Sequence, residues 1–353
     1  MMTNQRIGYI DAMRGFTMIL VVYNHILLCS FEGGATWSVN DIFLTFRMPL
    51  FFFLSGFLMY KPGRFKEAGG LFTFLRKKSI VQLLPTLIFS LIYALILSVS
   101  YKSLLFDKAK CGYWFTYTLF FYFFIYAVGD FVISKFTSGK SKICIGAIIA
   151  CLIYAFAKFS LSPSCPWFNN PVNGIMGVAN FQYFLFFYAG ALARSYFGRI
   201  NSFLQDDRVL ICIIVGFVLI QLAIQLHQSQ EFIIKRSYAA YSLLKSVSGF
   251  FGIAMVFAVF RKNEAVVQHS RTGRFLQYIG ARTLDIYLIH LILIHTNMRF
   301  VGAFLARYDS FISEMILGSM VSILLIGLCL IISSVIRCSD TLARLLFGKV
   351  IDK

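Results

Sequence analysis

Ten long apolar segments run through the chain, and they restrict its fold more than any other feature. Of its 353 residues, 59% are hydrophobic and only 14% are charged. A soluble globule of this size cannot bury that much apolar surface. Segments of about 17–22 apolar residues match the thickness of a bilayer. They predict an all-α integral membrane protein with about ten transmembrane helices, at residues 14–30, 41–60, 80–100, 112–133, 143–161, 180–197, 209–226, 241–260, 281–301 and 315–336.

The basic residues indicate how these spans are oriented. Most of the 33 Lys and Arg residues fall at the N-terminus and on every second loop. Because cytoplasmic loops carry the excess of Lys and Arg, both termini are predicted to be cytoplasmic. The net charge of +18 therefore reflects topology, so we expect membrane lipid and no nucleic acid as a partner. The opposite loops hold only Lys102, Lys108, Lys110, Lys235, Arg236 and Arg307.

The first span carries polar groups that lipid penalises. Asp11 and Arg14 are three residues apart, so they are neighbours on one helix face. His25 lies roughly 16 Å beyond Arg14 along the helix and within about 20° of the same face, near the bilayer centre. An ionisable group at that depth costs about 2.5–3.5 kcal/mol, which makes His25 a candidate for function. A histidine that only packs against a neighbouring helix is the alternative.

The second span also contains residues that a plain lipid-facing helix would lack. Arg47 needs a partner or a water-filled recess, because a guanidinium in lipid is costly. Pro49 and Ser55-Gly56 weaken regular helix, and they can either open the backbone to a cavity or form a notch of small residues for packing.

The ninth span is unusually rich in titratable groups. Asp285 and His290 are about 140° apart around the helix, so they are predicted to face different neighbours. We expect His290 to brace another helix rather than to perform chemistry. The span also contains His295 and Arg299 and is preceded by Arg282.

Two segments near the third and fourth spans allow more than one interpretation. Arg76, Lys77 and Lys78 precede a predicted helix start, where free backbone amides can assist phosphate binding. The positive-inside rule accounts for the same residues equally well. Trp114 is typical of an interfacial aromatic belt, whereas Asp130 inside the fourth span is not explained in that way.

Taken in order, these segments resemble acyltransferase family 3, the bacterial multi-span membrane O-acyltransferases. The resemblance implies one acyltransferase domain over residues 1–353, without an appended soluble domain. It rests on segments at 9–15 with His25, 48–57 (MPLFFFLSGF), Arg76-Lys77-Lys78 before Pro85, Trp114-Phe115, 184–190 and 286–290 (IYLIH).

The resemblance also implies a reaction. An acyl group, most often acetyl, passes from acyl-CoA on the cytoplasmic side to a hydroxyl of a cell-envelope carbohydrate or lipid-linked glycan, in the inner membrane of a bacterium. Neither a permanently bound cofactor nor a metal is implied. His25 would be catalytic, directly or through an acyl-histidine, while Asp11 and Arg14 organise the site. Donor binding would fall to Arg14, Arg76 and Lys78, and the site would be shaped by Ser55, at a helix break, and by Arg47, Trp114 and His290.

The sequence departs from the family pattern in two places. The family's basic motif is usually Arg-x-Arg, and lysine at position 78 keeps the charge without the bidentate fork. Asp285 stands where a small residue is more usual. A polytopic transporter or flippase is the alternative function, because intramembrane charges also line transport paths. Its path would be lined by Asp11, Arg14, Asp130, Asp285 and His290.

Overall fold

The chain folds into helices throughout the part that the structure describes. The computed structural model describes residues 7–30, 39–107, 109–160, 174, 177–228, 238–305 and 311–348. These residues are 90% helical and include no strand. The helices are α1 (Gly8–Ser30), α2 (Val39–Met59), α3 (Ala68–Lys78), α4 (Leu84–Ile96), α5 (Tyr101–Phe106), α6 (Trp114–Phe136), α7 (Gly139–Ser160), α8 (Phe184–Ser195), α9 (Phe197–Gln205), α10 (Asp207–Gln228), α11 (Tyr238–Lys262), α12 (Glu264–His269), α13 (Arg271–Ala281), α14 (Thr283–Leu305), α15 (Phe311–Arg337) and α16 (Asp340–Phe347).

Seven helices of the described part are long and apolar enough to cross a membrane. They are α2, the continuous helix 68–96 that contains α3 and α4, and α6, α7, α10, α11 and α15. The prediction of an all-α integral membrane protein is confirmed, whereas the predicted count of ten spans is not. The other three predicted spans correspond to α1, α8 and α14. Helix α8 has only 12 residues, while α1 and α14 contain buried polar side chains.

The contacts divide the chain into two compact units. Unit 1 comprises Met1–Leu54 and Tyr196–Leu330, and unit 2 comprises Ser55–Ser195 and Ile331–Lys353. The unit boundaries therefore fall within α2, between α8 and α9, and within α15. That residues 1–353 form a single functional domain stays a prediction, as does the cytoplasmic location of both termini.

In unit 1, α1 and α13 cross with their backbones in direct contact. A Cβ atom added at Gly15 would lie 2.0 Å from the carbonyl oxygen of Leu276, and one at Gly280 would lie 1.7 Å from that of Asp11. Only glycine permits this approach, since any larger residue would force the helices apart. The crossing fixes the start of α1 beside the end of α13.

In unit 1, the basic end of α11 contacts two neighbouring helices. Arg261, near the end of α11, lies over the ring of Tyr9 in α1, 5.3 Å from its centroid. Lys262 forms an ion pair with Asp207 at the start of α10. The end of α11 therefore lies beside the starts of α1 and α10, as the predicted alternation of spans requires.

A buried polar triangle joins α2, α10 and α11. The side-chain amide of Gln221 donates to the hydroxyls of Thr45 and Ser248, each at 2.9 Å, and Ser248 donates to Thr45 at 3.0 Å. Each polar group is thereby shielded from lipid, where an unmade hydrogen bond is costly.

The predicted helix break at Ser55 is wrong. Helix α2 is continuous with Pro49 inside it, and Ser55 is a partly exposed residue of its last turns. A Cβ atom at Gly56 would lie 1.9 Å from the carbonyl oxygen of Phe187 in α8. The small residues therefore form the packing notch that was the alternative interpretation, because the approach of α8 leaves no room for a side chain at position 56.

In unit 2, α6 and α8 pack mainly through aromatic rings, and an ion pair joins α6 to α7. Tyr122 of α6 makes edge-to-face contacts with Phe184 and Phe187 of α8, at 5.3 and 5.7 Å between centroids. The carboxylate of Asp130 pairs with the ammonium group of Lys142 in α7 at 2.7 Å. This ion pair accounts for the acidic residue that the aromatic belt did not explain.

The glycine crossing of unit 1 can be tested by adding one methyl group. We expect Gly280→Ala to destabilise the protein by about 1–3 kcal/mol, because the new Cβ would overlap the Asp11 carbonyl. Thermal unfolding in detergent, followed by size-exclusion chromatography, measures the effect. Gly327→Ala is the matched control, since a Cβ at position 327 in α15 meets no atom within 4 Å. Equal stability of the two variants would contradict the described contact.

Candidate functional site

Arg14 is held in place near the start of α1. Its guanidinium lies 3.4 Å from the Asp11 carboxylate and donates a hydrogen bond to the Thr283 hydroxyl at 2.7 Å. Thr283, the first residue of α14, donates in turn to the carbonyl oxygen of Gly280 at 3.4 Å. The side chain of Arg14 remains 30% exposed. The predicted pairing of Asp11 and Arg14 is confirmed, and the result is a fixed cation that an anionic ligand can reach.

Deeper along α1, His25 faces a second histidine. The rings of His25 and His290, which belongs to α14, are 5.2 Å apart between centroids and tilted by 57°. His25 is partly exposed, whereas His290 is completely buried. Of the two rings, only that of His25 keeps an accessible surface. The ring of His290 thus packs against α1, and its role as a bracing residue rather than a chemical one stays a prediction.

The backbone contact of His290 fixes its tautomer. Nδ1 lies 3.0 Å from the carbonyl oxygen of Ile286, one turn earlier in α14. A carbonyl oxygen only accepts, so Nδ1 carries the proton and Nε2 presents a lone pair. This buried Nε2 has no hydrogen-bond partner among the described residues. The pair therefore contains a hydrogen-bond acceptor that no described residue fills.

Arg47 is the third member of this site. Its guanidinium donates to the side-chain oxygen of Asn40 at 3.4 Å, and the amide of Asn40 donates to the side-chain oxygen of Asn24 at 3.0 Å. All three side chains are buried. The predicted need of Arg47 for a partner is thereby met. Arg47, His290 and His295 all lie within electrostatic range of His25.

Three residues near this site were missed in the sequence. Glu314 is buried in the first turn of α15 and interacts electrostatically with Tyr23, two residues before His25. The predicted tenth span began at residue 315, so Glu314 was placed outside it. Asn40 was likewise outside the predicted second span, although it lies two helical turns before Arg47 on the same face. Thr283 gave no signal beyond its position in the polar ninth span.

The basic segment before α4 differs from its prediction. Helices α3 and α4 are joined by one turn of π-helix, Ser79–Leu83, and the backbone N–H of Ser79 is bonded to the carbonyls of Leu75 and Arg76. The expectation of a helix start with free amides is therefore wrong, because the helix continues through the segment. Arg76 is exposed, and the ammonium group of Lys78 lies 3.7 Å from the ring centroid of Phe123.

The predicted site residues fall into both units. Unit 1 brings His25, His290 and Arg47 together and holds Arg14 against Asp11. The other four predicted site residues belong to unit 2; they are Ser55, Arg76, Lys78 and Trp114. Trp114 begins α6, and its ring stacks on that of Tyr183 with 5.9 Å between centroids. No three His, Cys, Asp or Glu side chains in the described ranges are grouped in a way that could hold a metal ion.

An apolar helical fold with acid–base groups inside it defines a membrane-embedded enzyme or transporter. A family model described as an acyltransferase domain matches residues 7–338, nearly the whole chain. The chain therefore belongs to this acyltransferase family, and it is a transferase of groups other than aminoacyl groups. Comparison with curated proteins and with solved structures gives no match. The family match favours the enzyme over the transporter.

The buried network around Arg47 can be tested through its central residue. We expect Asn40→Ala to lower stability by about 1–3 kcal/mol, because it removes a buried hydrogen-bond partner from both Asn24 and Arg47. Thermal unfolding in detergent measures this loss. Asn263→Ala is the control, since Asn263 is exposed and bonds only a backbone carbonyl one turn earlier. A shift no larger than that of the control would show that Asn40 is not needed.

Proposed function

We propose that the protein is a membrane O-acyltransferase of the bacterial inner membrane. It transfers an acyl group, in the simplest case acetyl, from acyl-CoA to a hydroxyl of a cell-envelope carbohydrate or lipid-linked glycan. The observation that carries the proposal is the partly exposed His25 beside the buried His290, within a chain that belongs to an acyltransferase family. The donor and acceptor classes come from the family resemblance.

His25 acts as the general base of the transfer. Its imidazole takes the proton of the acceptor hydroxyl while the hydroxyl oxygen attacks the thioester carbonyl. The tetrahedral intermediate then collapses: the carbon–sulfur bond breaks, an ester forms, and the departing thiolate takes the proton back from His25. A histidine suits both proton transfers because a neutral imidazole accepts a proton on one ring nitrogen while the other nitrogen keeps its own.

Two neighbours of His25 have supporting roles. The lone pair on Nε2 of His290, which no described residue fills, accepts a hydrogen bond from the acceptor hydroxyl and so orients it beside the base. Arg47, held by Asn40, supplies a cation for the negative charge that develops on the thioester oxygen. Such stabilisation is strong where water is excluded.

The donor's anionic end is bound on the basic side. Arg14 is oriented by Asp11 and Thr283 and lies roughly 16 Å from His25 along α1. In acyl-CoA the extended pantetheine arm separates the phosphates from the thioester. Arg14 and His25 lie on one helix face and are separated by roughly 16 Å. This arrangement suits a donor whose phosphates and thioester are joined by an extended arm. The family resemblance also assigns donor binding to Arg76 and Lys78, which belong to unit 2.

The catalytic role of His25 predicts a selective loss of activity. His25→Ala should reduce acyl transfer by at least about 10²–10⁴-fold, because the proton of the attacking hydroxyl loses its acceptor. The assay follows labelled acetyl groups from acetyl-CoA into the envelope glycan fraction, using purified protein in vesicles. His269→Ala is the control, since His269 is exposed at the end of α12. Transfer by H25A at the control rate would disprove the assignment, and glycan flux without coenzyme A dependence would favour the flippase.

The phosphate-binding role of the basic segment predicts an effect on donor affinity. Arg76→Ala and Lys78→Ala should each raise the KM for acetyl-CoA by about tenfold or more, since a charge-assisted hydrogen bond contributes about 1.5–3 kcal/mol. The turnover number should change far less. Lys78→Arg should retain binding, and Lys77→Ala removes one charge from the same exposed segment as a control. An equal rise in KM for K77A would show that only the total charge matters.

A further inference from the structure

Unit 2 contains a cavity that the proposed transfer does not use. It has a volume of about 230 Å³ and lies among α6, α7, α8 and the segment that follows α2. Its walls include Ile125–Ile133 of α6, Gly139–Ile149 of α7 and Phe184–Ser195 of α8. At 1.5 Å per residue these walls extend about 12–16 Å along the helices. That is about half of a hydrocarbon layer roughly 30 Å thick, or one leaflet.

The polar and the apolar residues that line the cavity lie in different parts of it. Its polar members gather where the loops after α2 and between α6 and α7 meet the end of α8. They are Lys61, the Asp130–Lys142 ion pair, and Ser195, which donates to the Tyr60 hydroxyl at 3.1 Å. The remaining wall is largely apolar, with Ile125, Ile133, Ile143, Ile149, Phe184 and Leu192. The cavity thus has an apolar body and a polar rim.

The rim has a net positive charge and lies on the basic side of the membrane. Asp130 neutralises Lys142, whereas Lys61 is exposed and adds one positive charge at the rim. All these loops are on the predicted cytoplasmic side. The leaflet on that side carries anionic lipids, which basic groups attract. A positive rim above an apolar slot complements an anionic head group attached to a hydrocarbon chain.

Two glycines give the cavity its shape. A Cβ atom at Gly146 would lie 2.2 Å from the hydroxyl of Tyr188, so its absence lets this ring lie across α7 and donate to the Ile143 carbonyl at 3.0 Å. A Cβ atom at Gly129 would meet no atom within 4 Å. The wall at Gly129 is therefore bare, and a side chain added there would extend into open space.

We propose that this cavity binds one acyl chain of an anionic phospholipid from the cytoplasmic leaflet, with the phosphate group beside Lys61. The site is a lipid-binding site of unit 2 and does not rest on the proposed function. The length of its walls matches the part of a chain that occupies one leaflet, and its rim matches the charge of the head group.

The test uses a phosphatidylglycerol that carries a diazirine in the middle of one chain. Purified full-length protein in phosphatidylcholine vesicles is irradiated with this lipid, and labelled peptides are identified by mass spectrometry. We expect labels on the segments that contain Ile125 and Ile149. Gly129→Leu should remove most of this labelling, whereas Gly327→Leu, which also meets open space in a membrane helix, should leave it unchanged. Undiminished labelling in G129L would overturn the proposal.

A second pair of variants keeps the test decisive if the G129L variant fails to fold. Ile149→Trp fills the cavity from α7, while Ile148→Trp adds the same bulk to a neighbouring side chain that is 58% exposed. Only the first should lose the label. For the head group, Lys61→Glu should reduce labelling by phosphatidylglycerol relative to a diazirine phosphatidylcholine, and Lys140→Glu is the exposed control outside the cavity. Equal labelling by both lipids in wild-type and K61E protein would overturn the anionic head-group assignment.

Discussion

Shielding the polar groups of α1 from lipid is the constraint on which the arrangement of unit 1 depends. Helix α1 carries an ion pair at its start and Asn24-His25 in its interior, so it requires polar neighbours along its length. Thr283 of α14 meets Arg14, His290 meets His25, and Asn40 of α2 meets Asn24. Because an unsatisfied polar group in hydrocarbon costs several kcal/mol, these contacts determine which helices surround α1.

Unit 2 satisfies the same constraint with fewer buried polar groups. Its helices pack through aromatic rings and glycines, and its charges lie mainly at the basic end. The two units thus differ in what their interiors contain, since unit 1 buries His290, Arg47 and Asp285 while unit 2 encloses a largely apolar cavity. Both interiors depend on small residues, which bring backbones together in one place and leave space in another.

The sequence predicted the helices better than it predicted their partners. Apolar length and basic loops located most membrane helices because both signals are local, and helical geometry paired Asp11 with Arg14. The contact of His25 with His290 joins residues far apart in the chain, so no local pattern indicates it. Helix continuity at Ser55 and through residues 68–96 was mispredicted, because packing on α8 and a π turn decide it. Glu314 and Asn40 were not identified because the predicted tenth and second spans each began one residue after them.

The crossing of α1 and α13 also limits how the protein can move. Two backbones in contact at Gly15 and Gly280 have no layer of flexible side chains to deform between them. Closely packed surfaces of this kind resist continuous sliding. The two helices therefore behave as one rigid body during turnover. Any motion that changes the surroundings of His25 must therefore be carried by elements other than this crossing.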